Sequence, residues 1–217
     1  MASRPADENH ETTRGRRPRG VVRDSLIAAG LALARSGGPD AVVLREVTRK
    51  VGVVPNAAYR HFANHDELLA AVCTAAMREL GARTAARVAR VRGKQGDPRA
   101  AGRRLRAIGE AYLEFARAEP GLFATAFALP QQHVYDDPDD GTAQGWRPLA
   151  QLRAALDELV DAGVLDPKNR AGAEYPIWSA VHGLAVLTGQ GPLRDIPEAA
   201  RRHVEQQTFA FLERSLV

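Results

Sequence analysis

Residues 52 to 62, GVVPNAAYRHF, place Asn56, Tyr59, Arg60 and His61 on a segment barely two helical turns long behind a glycine. The chemistry open to such a set is hydrogen bonding to a surface of polar edges and anions. An asparagine amide suits an adenine edge, a guanidinium suits guanine or a phosphate, and a phenol and an imidazole suit phosphate oxygens. Small Ala57 and Ala58 let the backbone come close, and Phe62 can anchor the segment in a core beside Leu44 and Val47. Two short helices joined through a glycine have one well-known physical use: the first braces across a DNA backbone while the second presents its beginning to base edges. The pattern alone is equally compatible with a turn between short helices in an all-helical protein that touches no DNA.

The charge pattern bears on that choice. Thirty Lys and Arg against 26 Asp and Glu leave a formal charge of +4, a small excess whose position matters more than its sum. In RGRRPRGVVR, residues 14 to 23, Arg14, Arg16, Arg17, Arg19 and Arg23 are met by no acid. Such a block is either a solvated tail or an arm that neutralises phosphates. RGRRPRG is similar to the Arg-Gly-Arg-Pro core of minor-groove hooks, with one extra Arg inserted, and a narrow A·T minor groove attracts arginines of this kind.

Behind these residues the apolar period is helical almost throughout, with no sustained two-residue alternation, which predicts an all-α protein of about nine helices. Residues 1 to 21 read as a flexible basic arm. Leu26, Ile27, Gly30, Leu33 and Ala34 share one face of a first helix that stops at SGGPD, residues 36 to 40. Leu44, Val47 and Val51 mark a second, ended by Gly52, and the quoted segment is the third. Asn64 with Glu67 three residues later has the form of a capping box. It opens a fourth helix expected to turn Leu68, Leu69, Val72, Ala76 and Leu80 inward and to run to GKQGDP, residues 93 to 98. Further stripes predict a fifth helix through Tyr112 and Phe115, a short sixth through Phe127, a seventh closed by Gly163, an eighth over 173 to 189 and a ninth from near Asp195. The eighth is apolar nearly all round, which predicts burial on more than one side. Residues 131 to 145 read as an acidic loop.

Enzymatic readings find little footing. GTAQG, residues 141 to 145, has the frame of a nucleophile elbow with Ala143 where serine must stand. Neither a phosphate-binding G-x-x-x-x-G-K-[ST] nor a zinc-binding H-E-x-x-H is present. Counted from Asp137 as a calcium loop, the twelfth position is Pro148 instead of a bidentate glutamate. No cofactor and no metal are called for, although scattered histidines and acids can converge in space. A helical module that binds only proteins is the other rival; it would need neither Arg45 nor the arm. Cys73 is the single cysteine, so no intrachain disulfide is expected. The first twenty residues lack the apolar core of a secretory signal, and no apolar run approaches the roughly 20 residues of a membrane helix. The expectation is a cytoplasmic protein with no membrane partner.

Residues 22 to 69 resemble the DNA-binding domain of TetR-family transcriptional regulators, through SLIAAGLALARSGG, LREVTRKVGV and AYRHFANHDELL in that order. Downstream, YLEFARAEPGLFATAF (112 to 127) and WSAVHG (178 to 183) resemble the ligand-binding region of the subgroup with a Trp-His-Gly signature. The resemblance implies a three-helix DNA-binding domain with a helix-turn-helix over 22 to 69, running into helix four, and a helical ligand-binding and dimerisation domain over 70 to 217. It implies a homodimer on double-stranded DNA with a palindromic operator, acting most often as a repressor released by a small-molecule effector. Arg45, Asn56 and Ala57 would face bases; Tyr59, His61 and His65 would sit near phosphates.

Three positions depart from the family pattern. Val43 and Val54 stand where a Ser or Thr cap is usual, at a typical cost of about 1 kcal/mol each. Pro55 recovers part of that by presetting φ, and Asn56 could itself be the cap. His65 replaces a usual lysine; a neutral imidazole makes a weaker phosphate contact that strengthens on protonation. Operator affinity is therefore expected to rise modestly below about pH 6.5.

A regulator needs a second input. Tyr112, Phe115, Phe123, Phe127, Trp178 and His182 are the candidates for an effector cavity among helices four to eight. An aromatic stripe at helical spacing is equally what a plain core requires. Helices eight and nine, with Ile177, Val181, Leu184, Val204, Thr208, Phe211 and Leu212, are the candidates for a twofold interface.

Overall fold

The computed structural model describes residues 19–129 and 148–216, and no strand occurs among them. The basic arm through Arg17 and the acidic loop at 131 to 145 lie outside the described residues.

Helix α1 (Arg19–Gly37) begins earlier than the composition suggests. Val22 packs on the core one turn before Leu26, so residues 19 to 21 continue a helix already held by burial instead of belonging to the arm. Helix α2 (Leu44–Val51) ends at Gly52, whose φ of 74° is left-handed, a conformation that costs glycine little. The N–H groups of Gly52 and Val53 both return to the Thr48 carbonyl, at 2.9 and 3.1 Å. Helix α3 (Pro55–Ala58) is a single turn, with Val54 as an extended N-cap and Pro55 at the first helical position. His61 and Phe62 then donate to the Ala58 carbonyl, so Tyr59 to Phe62 continue as a turn.

Helix α4 (His65–Val88) opens with Asn64 as its cap, as expected, while Glu67 reaches back to the N–H one residue before the one a capping box uses. The Glu67 N–H donates to Asn64 Oδ1 at 2.8 Å, and Glu67 Oε2 accepts from the Ala63 N–H. Leu68, Leu69, Val72, Ala76 and Leu80 are all buried. The helix ends at Val88, short of the breaker at Gly93. Arg103 and Arg104 donate to the carbonyls of Arg92 and Gly93, at 2.8 and 2.6 Å, and so hold the segment that leads from α4 to α5.

Helix α5 (Pro98–Ala118) is capped by Asp97, which accepts from the Ala100 N–H at 2.7 Å. Helices α6 (Pro120–Ala126), α7 (Pro148–Asp161), α8 (Glu174–Gly189) and α9 (Glu198–Ser215) follow. The front of α4 joins α1, α2 and α3 around Leu26, Val42, Val47, Phe62, Leu68 and Val72, all essentially inaccessible. Its later turns pack on α5, α6 and α7. One unbroken helix thus runs from the small N-terminal head into the larger body.

Two expectations about α8 and α9 need correction. Within the chain α8 is buried on one side only: Ile177, Val181, Leu184 and Ala185 face inward, while Tyr175, Val186 and Leu187 remain exposed. Ile177, Val181, Leu184 and Leu212 are therefore core of the single subunit and not free to meet a partner copy. Val204 and Thr208 are half-buried, and Phe211 is 63% exposed.

Candidate nucleic-acid interface and ligand cavity

The head buries most of its apolar residues behind its polar ones, with Val43 and Val54, the N-cap residues of α2 and α3, left exposed. Val47, Thr48, Ala58 and Phe62 are buried, and the Thr48 hydroxyl donates to the Arg45 carbonyl at 2.9 Å, so α2 and α3 are fixed from behind. On the outside, Arg45, Asn56, Tyr59 and Arg60 are exposed, while Ala57 and His61 are half-buried. Tyr59 is 56% exposed, a large phenol left in solvent. The Arg23 guanidinium stacks over the Phe62 ring at 5.2 Å, which ties the beginning of α1 to the end of the α3 turn.

Asn56 is not the cap. Val54 occupies that position and Asn56 lies inside the turn of helix, exposed, its amide free of any hydrogen bond to the described residues. His65 departs from expectation in the other direction. Its Nε2 lies 2.9 Å from the Val42 carbonyl and its Nδ1 3.3 Å from Asp66 Oδ1, so both ring nitrogens face protein acceptors. The ring ties the start of α4 to the segment before α2 instead of projecting freely toward a phosphate. Lys50, exposed in the last turn of α2, adds a cation that the motif alone does not single out. A basic residue in the turn before Gly52 is the available signal.

In the body, residues of α4 to α9 line a partly open cavity of about 640 Å³. Met77, Leu105, Leu152 and Phe209 contribute to its wall, with Tyr112, Phe127 and Trp178. The other three aromatic candidates stand behind that wall. Phe115 is buried beneath the Arg83 guanidinium, 5.1 Å from its ring centre. Phe123 meets Tyr112 edge-on at 5.4 Å, and His182 meets Phe127 at 4.8 Å. The contribution of α9 is not legible in the sequence, where its apolar residues suit an interface equally well.

One polar group set interrupts this apolar wall. Trp178 Nε1–H donates to Tyr112 Oη at 3.2 Å, and Tyr112 Oη lies 2.7 Å from His182 Nδ1. Burial pushes the Tyr112 phenol well above its ordinary range and pushes the His182 imidazole below its own, so both are neutral near pH 7.

No helix among the described residues is long and apolar enough to cross a membrane, and no cluster of His, Cys, Asp and Glu among them could hold a metal ion. No curated protein matches the chain significantly. In fold it is similar to a protein of unknown function from Rhodococcus sp. RHA1, at 22% identity and a TM-score of 0.69, with 95% of this chain and 99% of that one covered. It is also similar to the TetR family transcriptional regulator PfmR from Thermus thermophilus, at 20% identity and a TM-score of 0.53, covering 87% of this chain and 97% of that one. Residues 26–72 match the family of bacterial regulatory proteins, tetR family, and residues 105–211 match the tetracyclin repressor-like C-terminal domain. With the head and the body each matched by its own part of the family, the chain belongs to the TetR family of DNA-binding transcriptional regulators.

Proposed function

We propose that this regulator is a homodimeric repressor that leaves a palindromic operator when a small molecule occupies the cavity. The observation that carries this reading is the exposed polar rim of α2 and α3, fixed from behind by a closed apolar core. Arg45, Asn56 and Ala57 face base edges, and Tyr59, Arg60 and His61 take phosphates. Arg14, Arg16 and Arg17 of the arm supply further cations in the minor groove. The head is residues 22 to 69 and the sensing and pairing domain residues 70 to 217, joined by α4. Pairing uses the outer faces of α8 and α9, where Tyr175, Val186, Leu187 and Phe211 leave apolar surface exposed. A twofold pair of such subunits presents two reading heads, which matches a palindrome. An effector acts by favouring one separation of the heads over another, through its differential affinity for the two states.

The test is selection of bound fragments from random duplex DNA. A palindrome whose half-sites lie about one helical turn apart supports the reading. No retention of any duplex at about 50 mM salt overturns it and favours a helical module that binds only proteins.

A further inference from the structure

The wall of the cavity limits what can enter it. Among the described residues, charge appears there only as Arg106 and Glu213, and these two are paired: Arg106 Nη1 lies 2.7 Å from Glu213 Oε1, while its Nε also reaches Glu110 at 3.3 Å. Glu110 is shared with Arg87, which also bonds Glu114, so three carboxylates face two guanidinium groups and no described cation on this wall is left over for an anionic ligand; burying an unpaired charge against the rest of the wall is costly. The remaining polar opportunity is Tyr112 Oη. A phenol offers one O–H and two lone pairs. Trp178 takes one lone pair, and His182 takes either the hydrogen or the second lone pair according to its tautomer. One hydrogen-bonding position stays open in both arrangements: a lone pair in the first, the O–H in the second. A hydroxyl group, which both donates and accepts, fits either.

We infer that the effector is an uncharged, predominantly apolar molecule carrying a hydroxyl group that bonds to Tyr112. This rests on the reading of the cavity as the effector site.

The experiment uses the full-length protein and N-phenyl-1-naphthylamine, a neutral fluorescent probe, displaced in turn by 1-dodecanol and by dodecanoate at about pH 8. The expected result is displacement by the alcohol at a concentration at least about tenfold lower than by the carboxylate. Tyr112→Phe weakens the alcohol about fivefold more than it weakens the probe. Gly102 lies on the cavity wall, and a Cβ added there meets nothing within 4 Å. Gly102→Leu therefore has room for its Cβ, takes up cavity space and lowers probe affinity at least about tenfold; Leu105→Phe on the same helix repeats the test should the first variant fold poorly. Dodecanoate binding as well as the alcohol, with both still sensitive to Gly102→Leu, overturns the effector class and leaves the site standing. Equal alcohol affinity in Tyr112→Phe overturns the hydroxyl assignment. Probe binding indifferent to both filling variants removes the cavity as the ligand site, and the reading of its role fails with it.

Discussion

Gly121 and Ala34 pack backbone against backbone. A Cβ added at Gly121 would fall inside contact distance of the Ala34 carbonyl oxygen and 2.8 Å from that of Arg35. The beginning of α6 thus sits directly on the last turn of α1, while Phe127, just past its end, stands on the cavity wall. Ion pairs surround this junction. Glu119 accepts from Arg35 and from Arg83, and Arg35 also bonds both oxygens of Glu79. Burial pushes the Glu119 carboxyl upward, but the two guanidinium groups outweigh it and hold it below its ordinary range.

Gly121→Ala forces one of these two backbones to move. The expected loss is about 1–3 kcal/mol, the usual cost of overpacking a tight contact. Urea unfolding measures it as a lower midpoint at an unchanged slope. An unaltered midpoint would show that α6 is not seated on α1.

The His182 imidazole has a folded-state pKa below its ordinary 6.5 because burial disfavours its charged form. The unfolded chain therefore takes up a proton first as the pH falls. The stability associated with the neutral ring is fully present above about pH 6.5 and is lost as the pH drops through the lower folded value. Glu119 and Glu174 do not confuse this window. Each has its carboxyl held below 4.5, so their contributions persist above that value and fade only in more acid solution. The melting temperature is expected to fall between about pH 7.5 and 5.5 in the parent and to fall less in His182→Asn. Parallel curves for the two proteins would remove His182 as the cause.

Caps give a pair of opposite effects. Asn64→Ala removes the acceptor for the Glu67 N–H and should cost about 1 kcal/mol. Val43 holds the N-cap position of α2 in extended backbone, 46% exposed and with no side-chain hydrogen bond. Val43→Ser supplies the missing acceptor at little cost in burial and should gain about 0.5–1 kcal/mol. Thermal denaturation of the two variants beside the parent checks both signs.

What can be read without coordinates is set by how local each cause is. The Asn64 cap, the glycine turn at Gly52 and the inward stripe of α4 depend on residues within a few positions, and all three are as expected. No breaker marks the end of α4 at Val88, and the segment beyond it is held by Arg103 and Arg104, which approach from the next helix. His65 reads as outward in the sequence because its partner, the Val42 carbonyl, lies 23 residues away. The same remoteness hides the cavity wall: apolar residues of α9 have one periodicity whether they meet a partner copy or close a cavity in their own subunit.

Adjacent residues Phe211 and Leu212 therefore answer differently to substitution. Phe211 is 63% exposed, while Leu212 is 7% exposed and faces inward on the cavity wall. If the outer faces of α8 and α9 pair, Phe211→Glu places two like charges near the twofold axis and removes a large aromatic anchor. Losses of about 2 kcal/mol or more are usual for such an anchor, so the dimer dissociation constant should rise at least about thirtyfold while the subunit stays folded. Leu212→Ala leaves the outer face intact and should instead lower unfolding stability by about 2–3 kcal/mol, toward the small end for a core leucine because the space beside it is already open. Sedimentation equilibrium separates the first effect and urea unfolding the second. A Phe211→Glu protein that remains dimeric at micromolar concentration would place the interface elsewhere.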